Sequence, residues 1–324
     1  MKLNHGLTLL LERESKNDRL SLEVKKMKKT PLIIIPIFLS SILAMTPINF
    51  FNKELDPWMS KVNDNTRLID LSIPGTHDSG AAHSIFDVAG KCQDLNISEQ
   101  LRIGVRFFDL RIQLVNNDLN IVHGPVDQNL KFDHVLKKMT NFINKHPSEF
   151  IIISLKKEAD DVNSTLDFSE TLVERINNQS DIISLATSLP TNVGEARGKI
   201  HIISRTNINV GLPAYYGWQD DTTFTLDNMY IQDNYCIDDV NEKINDIKST
   251  IEVSNLQSND KLVLNFLSCY LDNSFPPSYA GTPANTINPW FNSYIKENDN
   301  YKLGVVLCDF ISEELAMNIY RRNY

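Results

Sequence analysis

From about residue 60 onward, short β-branched and aromatic runs alternate with apolar stripes at helical spacing, and this alternation restricts the fold most. The runs that read as strands are "RLIDLSI" (67–73), "VRFFDLRIQL" (105–114), "LNIVHG" (119–124) and "EFIIISLKK" (149–157). They continue with "KIHIISR" (199–205), "MYIQDNY" (229–235), "KLVLNFLS" (261–268) and "YKLGVVLCDF" (301–310). "VNNDLN", between the second and third runs, is turn chemistry and predicts a hairpin. Phe132, Val135, Leu136, Met139, Phe142 and Ile143 share one helical face, and weaker helical patterns cover 237–251 and 311–320. Strands interleaved with helices predict an α/β chain forming one (β/α) barrel, closed or nearly so. A doubly wound sheet is the alternative, but no glycine-rich phosphate fingerprint follows the first strand.

The polar residues recur where these strands end. "LSIPGTHDSG" sets His77 and Asp78 just beyond the first strand. Asp109 and Arg111 are two apart in the second and so share a face. His123 ends the third strand, Lys156 and Glu158 the fourth, and Arg205 the fifth. Asp233 and Tyr235 share a face at the end of the sixth, and Asp309 ends the last. Any one of these could be a solvated strand terminus. As a set they mark the carboxyl end of a barrel, where such folds build their sites. Two histidines suit a general base and a general acid near neutral pH. Arg111 is a permanent cation that grips phosphate oxygens through two donors. Asp78, Asp109 and Asp309 can orient the imidazoles or the guanidinium. Base, acid and cation together describe metal-free phosphodiester cleavage by a hydroxyl nucleophile.

The chain carries 32 Lys+Arg against 41 Asp+Glu, a formal charge of −9, which argues against a nucleic-acid partner. "KKMKKTPLIIIPIFLSSILAMTP" has a basic cluster followed by a short apolar run from Leu32 to Met45, the pattern of a secretory signal. Residues 1–49 are therefore expected to be an N-terminal extension with a signal peptide, and 50–324 the catalytic barrel. An N-terminal membrane anchor or a buried helix is the alternative. Residues 1–49 hold eight Lys/Arg and four Asp/Glu, so the remainder has 24 bases against 37 acids, a formal −13. Cys92, Cys236, Cys269 and Cys308 include no C-x-x-C pair, so zinc is not indicated and buried thiols are the expectation.

"LSIPGTHDSG", "FFDLRIQL", "IVHGPV", "HPSEFIIISLKKE", "ISR", "YIQDNY" and "VVLCDF" resemble, in order and spacing, the motifs of bacterial phosphatidylinositol-specific phospholipase C. The resemblance implies an irregular or incompletely closed TIM-type (β/α) barrel and a secreted enzyme without cofactor or metal. It implies cleavage of phosphatidylinositol in membranes to diacylglycerol and inositol 1,2-cyclic phosphate, with glycosylated inositol anchors as a further candidate substrate. His77 then resembles the general base for the inositol 2-hydroxyl, held by Asp309. His123 resembles the general acid, assisted by Asp78, and Arg111 the phosphate cation, with Asp109 beside it. Lys156, Arg205 and Asp233 resemble contacts to ring hydroxyls, and Tyr235 the aromatic face beneath the ring.

Two departures concern the membrane. "HSIFDVAGKCQDLN" lacks the tryptophan that the family often carries after its first motif, and "NSFPPSYAGTPANTINPW" is a rim stretch of its own sequence. Phe275, Tyr279 and Trp290 are the candidate peripheral membrane contacts of an expected monomer. A metal-dependent, glycerophosphodiesterase-like barrel and a catalytically silent inositol-lipid binder are the rival readings. Arg111 counts against the first, and both histidines with their carboxylates count against the second.

Overall fold

The computed structural model describes residues 57–82, 90–179, 181–272 and 279–324, all within the compact unit Asn52–Tyr324. In chain order they form β1 (Ser72–Thr76), α1 (Ile97–Arg102), β2 (Phe107–Val115), β3 (Asp118–His123), β4 (Val126–Lys131), α2 (Phe132–Lys145) and β5 (Ile151–Lys157). Then come α3 (Phe168–Asn177), β6 (Ile183–Ser184), α4 (Val193–Ala196), β7 (Ile200–Arg205), β8 (Leu212–Pro213), β9 (Thr222–Thr225) and β10 (Met229–Asp233). The chain ends with β11 (Cys236–Ile237), α5 (Val240–Ser254), β12 (Leu262–Phe266), β13 (Tyr270–Leu271), α6 (Gly281–Glu297), β14 (Gly304–Cys308) and α7 (Glu313–Tyr320).

Seven strands run parallel in the order β7-β5-β2-β1-β14-β12-β10. The short β6 and β8 extend the β7 side, and β9 pairs antiparallel with β10 at the other. Among the described residues no ladder joins the two sides, so the barrel is incompletely closed. Helices pack on the outer face, as the alternating pattern predicts.

The period of two along each strand divides the core into two layers. Ile73, Phe107, Ile152, Ile203, Ile231, Leu264 and Val305 point inward and form one apolar cluster. Phe108, Ile153, Ile202 and Val306 point outward and pack with Leu136, Ile287 and Leu315. Following the inner face toward the carboxyl ends gives Phe107–Asp109–Arg111, Ile152–Ser154–Lys156, Ile203–Arg205 and Ile231–Asp233. Each inner face thus begins apolar and ends polar. Burying the apolar members contributes about 1.5–3 kcal/mol per side chain, which anchors the strands carrying the polar ends.

The hairpin expected at "VNNDLN" forms between β2 and β3, with Asn116 and Asn117 at φ 52° and 68°. Consecutive left-handed residues match the right-handed twist of a tight hairpin, and Asn tolerates that conformation. β2 outlasts β1, which it meets only at Phe107 and Phe108, so its second half is free to pair with β3. The return of β3 brings His123 back to the level of Asp109 and Arg111.

Several boundaries differ from the sequence reading. The first strand begins at Ser72 rather than 67, because Leu68–Asp70 form a 3-10 turn. Asp70 holds that turn through Arg67 and Lys302, each 2.7 Å away. The last strand begins at Gly304, not 301. Gly304 has φ 65°, and a Cβ there would lie 2.5 Å from the Val263 carbonyl oxygen. Two weaker helical patterns become Val240–Ser254 and Glu313–Tyr320. β4 and the short strands β6, β8, β9, β11 and β13 had no clear sequence signal. All four cysteines are free thiols, with Cys236 only half-buried. No helix among the described residues is long and apolar enough to cross a membrane.

Candidate active site

An extended strand sends consecutive side chains to opposite faces, yet His77 and Asp78 both meet Arg111. The chain turns just past β1, with Asp78 at φ 42°, a left-handed conformation that Asp accepts more readily than bulkier residues. β1 and β14 pair up to Thr76 and Cys308, so His77 and Asp309 follow as the next pair in register. His77 Nδ1 lies 2.8 Å from Asp309 Oδ1. Arg111 Nη2 lies 2.7 Å from His77 Nε2. When the ring is neutral, its Nδ1–H donates to Asp309 and its Nε2 accepts from the guanidinium. Burial opposes charge on His77, but Asp309 and Asp78 outweigh it and push the pKa up to about 9.

Arg111 joins the remaining groups. Its Nε lies 3.2 Å from Asp78 Oδ1 and 3.3 Å from Asp109 Oδ2, and its Nη1 3.2 Å from Glu158 Oε1. Asp78 Oδ2 is 3.4 Å from His123 Nε2 and 3.6 Å from His77 Nε2. One buried carboxylate therefore bridges the guanidinium and both imidazoles. Burial pushes the Asp78 pKa up despite these partners. Asp109 is fully buried and also meets Arg205 Nη1 at 3.4 Å. Burial disfavours its charge, but Arg111 and Arg205 hold it well below the usual carboxylate range.

Arg111, Lys156 and Arg205 stand at one register level across β2, β5 and β7. With Asp233 and Tyr235 they line a cleft of about 640 Å³ that also contains His77, His123 and Asp309. Every candidate catalytic or binding residue is therefore at this site, with Asp78 and Asp109 buried behind Arg111. Tyr235 lies beyond β10, whose last residue is Asp233, so it does not share a strand face as expected. Its ring still reaches the cleft, 6.0 Å from that of Tyr270, with its hydroxyl 2.9 Å from Asp220 Oδ1.

The sequence reading gave no role to Glu158 or Trp218. Glu158 binds Arg111 and Lys156 and accepts the Gly124 N–H at 3.3 Å. Its signal was its place two residues past Lys156 at a strand end. The Arg205 guanidinium stacks 4.0 Å over Trp218. "YYGWQDD" lies in a loop without periodicity, so nothing local pointed to it.

The expected membrane rim is corrected in part. Phe275 lies outside the described residues. Tyr279 is 40% exposed and lines the cleft. Trp290 is not a rim residue: it sits within α6, partly buried against the core and stacked 5.4 Å from Tyr294. A second cleft of about 610 Å³, bounded by Thr206, Tyr216 and Met229, has no His, Lys or Arg among its described residues. Its described residues include Asp227, Tyr215 and Tyr216 but no imidazole or cation to pair with them.

The pair His77–Asp309 yields a pH test. Asp309→Asn removes the main carboxylate that raises the His77 pKa, so the imidazole becomes neutral at lower pH. If His77 acts as base, the acid limb of kcat/KM moves to lower pH and the maximum rate falls. An unmoved limb in the variant refutes the coupling.

Residues 71–205 match the family described as phosphatidylinositol-specific phospholipase C, X domain. The chain is 30% identical over 280 residues to 1-phosphatidylinositol phosphodiesterase of Listeria monocytogenes, covering 82% of this chain and 84% of that protein. It is also 30% identical to the Staphylococcus aureus protein of that name, over 80% of this chain and 89% of the relative. Among solved structures, a variant of the S. aureus phosphatidylinositol-specific phospholipase C matches with TM-score 0.72 and 27% identity, covering 81% of this chain and 96% of that one. The L. monocytogenes enzyme matches with TM-score 0.69 and 27% identity, covering 82% and 98%. The chain belongs to the bacterial phosphatidylinositol-specific phospholipase C family.

Proposed function

We propose that this protein cleaves phosphatidylinositol to diacylglycerol and inositol 1,2-cyclic phosphate by general acid–base catalysis. The observation that carries this reading is Arg111, which touches His77 Nε2 and shares Asp78 with His123. In this mechanism His77 Nε2 takes the proton of the inositol 2-hydroxyl, whose oxygen attacks phosphorus. The phosphorus–oxygen bond to diacylglycerol breaks, and His123 gives its proton to the departing oxygen. Arg111 meets the charge that grows on the non-bridging oxygens in a site shielded from water. Asp309 holds the base, Asp78 supports the acid, and Asp109 fixes Arg111 from beneath. Lys156, Arg205 and Asp233 supply donors and acceptors for the ring hydroxyls, and Tyr235 an apolar face for ring C–H groups.

The direct test adds the purified protein to phosphatidylinositol vesicles and follows phosphorus NMR. A five-membered cyclic phosphate is expected as first product. Its absence, or a requirement for added divalent metal, defeats the reading in favour of a silent binder or a metal-dependent diesterase.

Specificity follows from where the nucleophile resides. Phosphatidylcholine has no hydroxyl beside the carbon bearing phosphate, so it should not react. Phosphocholine release at a rate comparable to phosphatidylinositol cleavage contradicts the mechanism.

The N-terminal signal pattern supports export, and the reading takes the enzyme as a secreted monomer that also accepts glycosylated inositol anchors. With a formal −13 outside residues 1–49, attachment to anionic lipid relies on apolar side chains at the cleft mouth, Tyr279 among them.

A further inference from the structure

We infer that Asp78, Cys92 and His123 form a site for a sulfur-seeking divalent cation such as zinc, and that filling it switches cleavage off. The site itself rests on ligand atoms alone; its inhibitory effect also rests on the acid role proposed for His123.

One ligand atom from each residue, Cys92 Sγ among them, lies within 4.8 Å of the other two. Zinc takes thiolate, imidazole and carboxylate together at about 2.0–2.3 Å, so a contraction on the order of 1 Å closes the set. Two atoms of these residues are buried without a hydrogen bond, Asp78 Oδ2 and His123 Nδ1, and Asp78 is only 2% exposed. Buried polar atoms are seldom left unmatched. His77, Cys92 and Asp309 satisfy the same distance, but there the histidine is already engaged. Its Nδ1 holds Asp309 at 2.8 Å and its Nε2 meets Arg111 at 2.7 Å. On the other side Asp78 Oδ2 has only ion-pair contacts, 3.4 Å to His123 Nε2 and 3.6 Å to His77 Nε2, and accepts no hydrogen bond.

Ligand chemistry selects the kind of ion. A dication replaces the Cys92 thiol proton, which passes to solvent, and forms a metal–sulfur bond beside Asp78 and Asp309. Arg111, 3.2 Å from Asp78 Oδ1, opposes every cation alike. Calcium and magnesium gain nothing from sulfur and do not overcome it, whereas zinc, cadmium and cobalt do. A metal on the imidazole removes the proton that His123 must donate.

The test uses the full chain, freed of metal and held in a non-coordinating buffer. Zinc chloride is titrated by calorimetry, and cobalt chloride by its thiolate-to-metal absorption band. Wild type should bind one ion and show the band. Cys92→Ser should lose the band and bind zinc at least tenfold more weakly, while Cys236→Ser should do neither. Zinc, but not calcium or magnesium, should inhibit vesicle cleavage, and Cys92→Ser should escape when each variant is compared with its own metal-free rate. Zinc binding as tight in Cys92→Ser as in wild type, or cobalt binding without the sulfur band, overturns the site. Sulfur-bound metal with undiminished cleavage overturns the inhibitory half and the acid role of His123 with it. The absorption readout needs no turnover, so a catalytically silent protein can still pass or fail it.

Discussion

Arg111→Ala is expected to lower kcat/KM for phosphatidylinositol by about 10³-fold or more, the scale seen when a cation or donor on a transition-state oxygen is removed. Nη2 of this guanidinium meets His77 while Nε is fixed by Asp78 and Asp109, so substrate phosphate arrives at a prepositioned charge. Truncation also leaves both carboxylates buried without their main partner, a defect that costs about 3–5 kcal/mol. Thermal unfolding must therefore accompany kinetics. Arg111→Lys separates the two effects, because it keeps the charge and loses the fork. It should fold like wild type yet recover only part of the rate. If the guanidinium does the work a divalent ion does in other diesterases, a strong chelator leaves wild-type activity intact. Chelation that abolishes activity, with calcium restoring it, would falsify this assignment.

Replacing either histidine should be comparably severe. General acid–base groups each contribute about 10²–10⁴-fold, so His77→Ala and His123→Ala should each lose nearly all turnover and remain folded. The double variant should fall little below the worse single one, because both act in one proton relay. Leaving-group chemistry tells them apart. A nitrophenyl ester of inositol 1-phosphate releases nitrophenolate, which departs without needing a proton. It should therefore rescue His123→Ala while leaving His77→Ala inactive. Loss of less than tenfold in both variants on the natural lipid removes them from the mechanism, and rescue of His77→Ala but not of His123→Ala reverses their roles.

The inner-face residues were legible because the signal is local and periodic. Asp109 two before Arg111, or Asp233 two after Ile231, needs only the alternation of a strand. Asp309 was legible for the same reason, at the end of an apolar run. Other features arise only when segments far apart in sequence meet. Glu158 gains its importance from Arg111 Nη1 and the Gly124 N–H, and Trp218 from the guanidinium stacked on it. Tyr235 was assigned to a strand that stops two residues earlier, because "MYIQDNY" keeps its alternation past the last ladder bond. Trp290 fell to the opposite error. An aromatic near a rim loop suggested exposure, while Tyr294 one helical turn later supplied a packing partner.

The unclosed sheet has a middle and two margins, and the site divides along the same line. His77 and Asp309 directly follow β1 and β14, and Asp109 and Arg111 lie on β2; these are adjacent strands at the centre of the ladder. Lys156, Arg205 and Asp233 belong to β5, β7 and β10, toward the two flanks. The reacting geometry is therefore braced by neighbours on both sides, whereas the outermost parallel strands β7 and β10 are backed only by short ones. Drift in loop length or edge strands can reshape which headgroups fit without disturbing proton transfer. A lineage built on this plan can diverge in substrate preference while its chemistry stays constant.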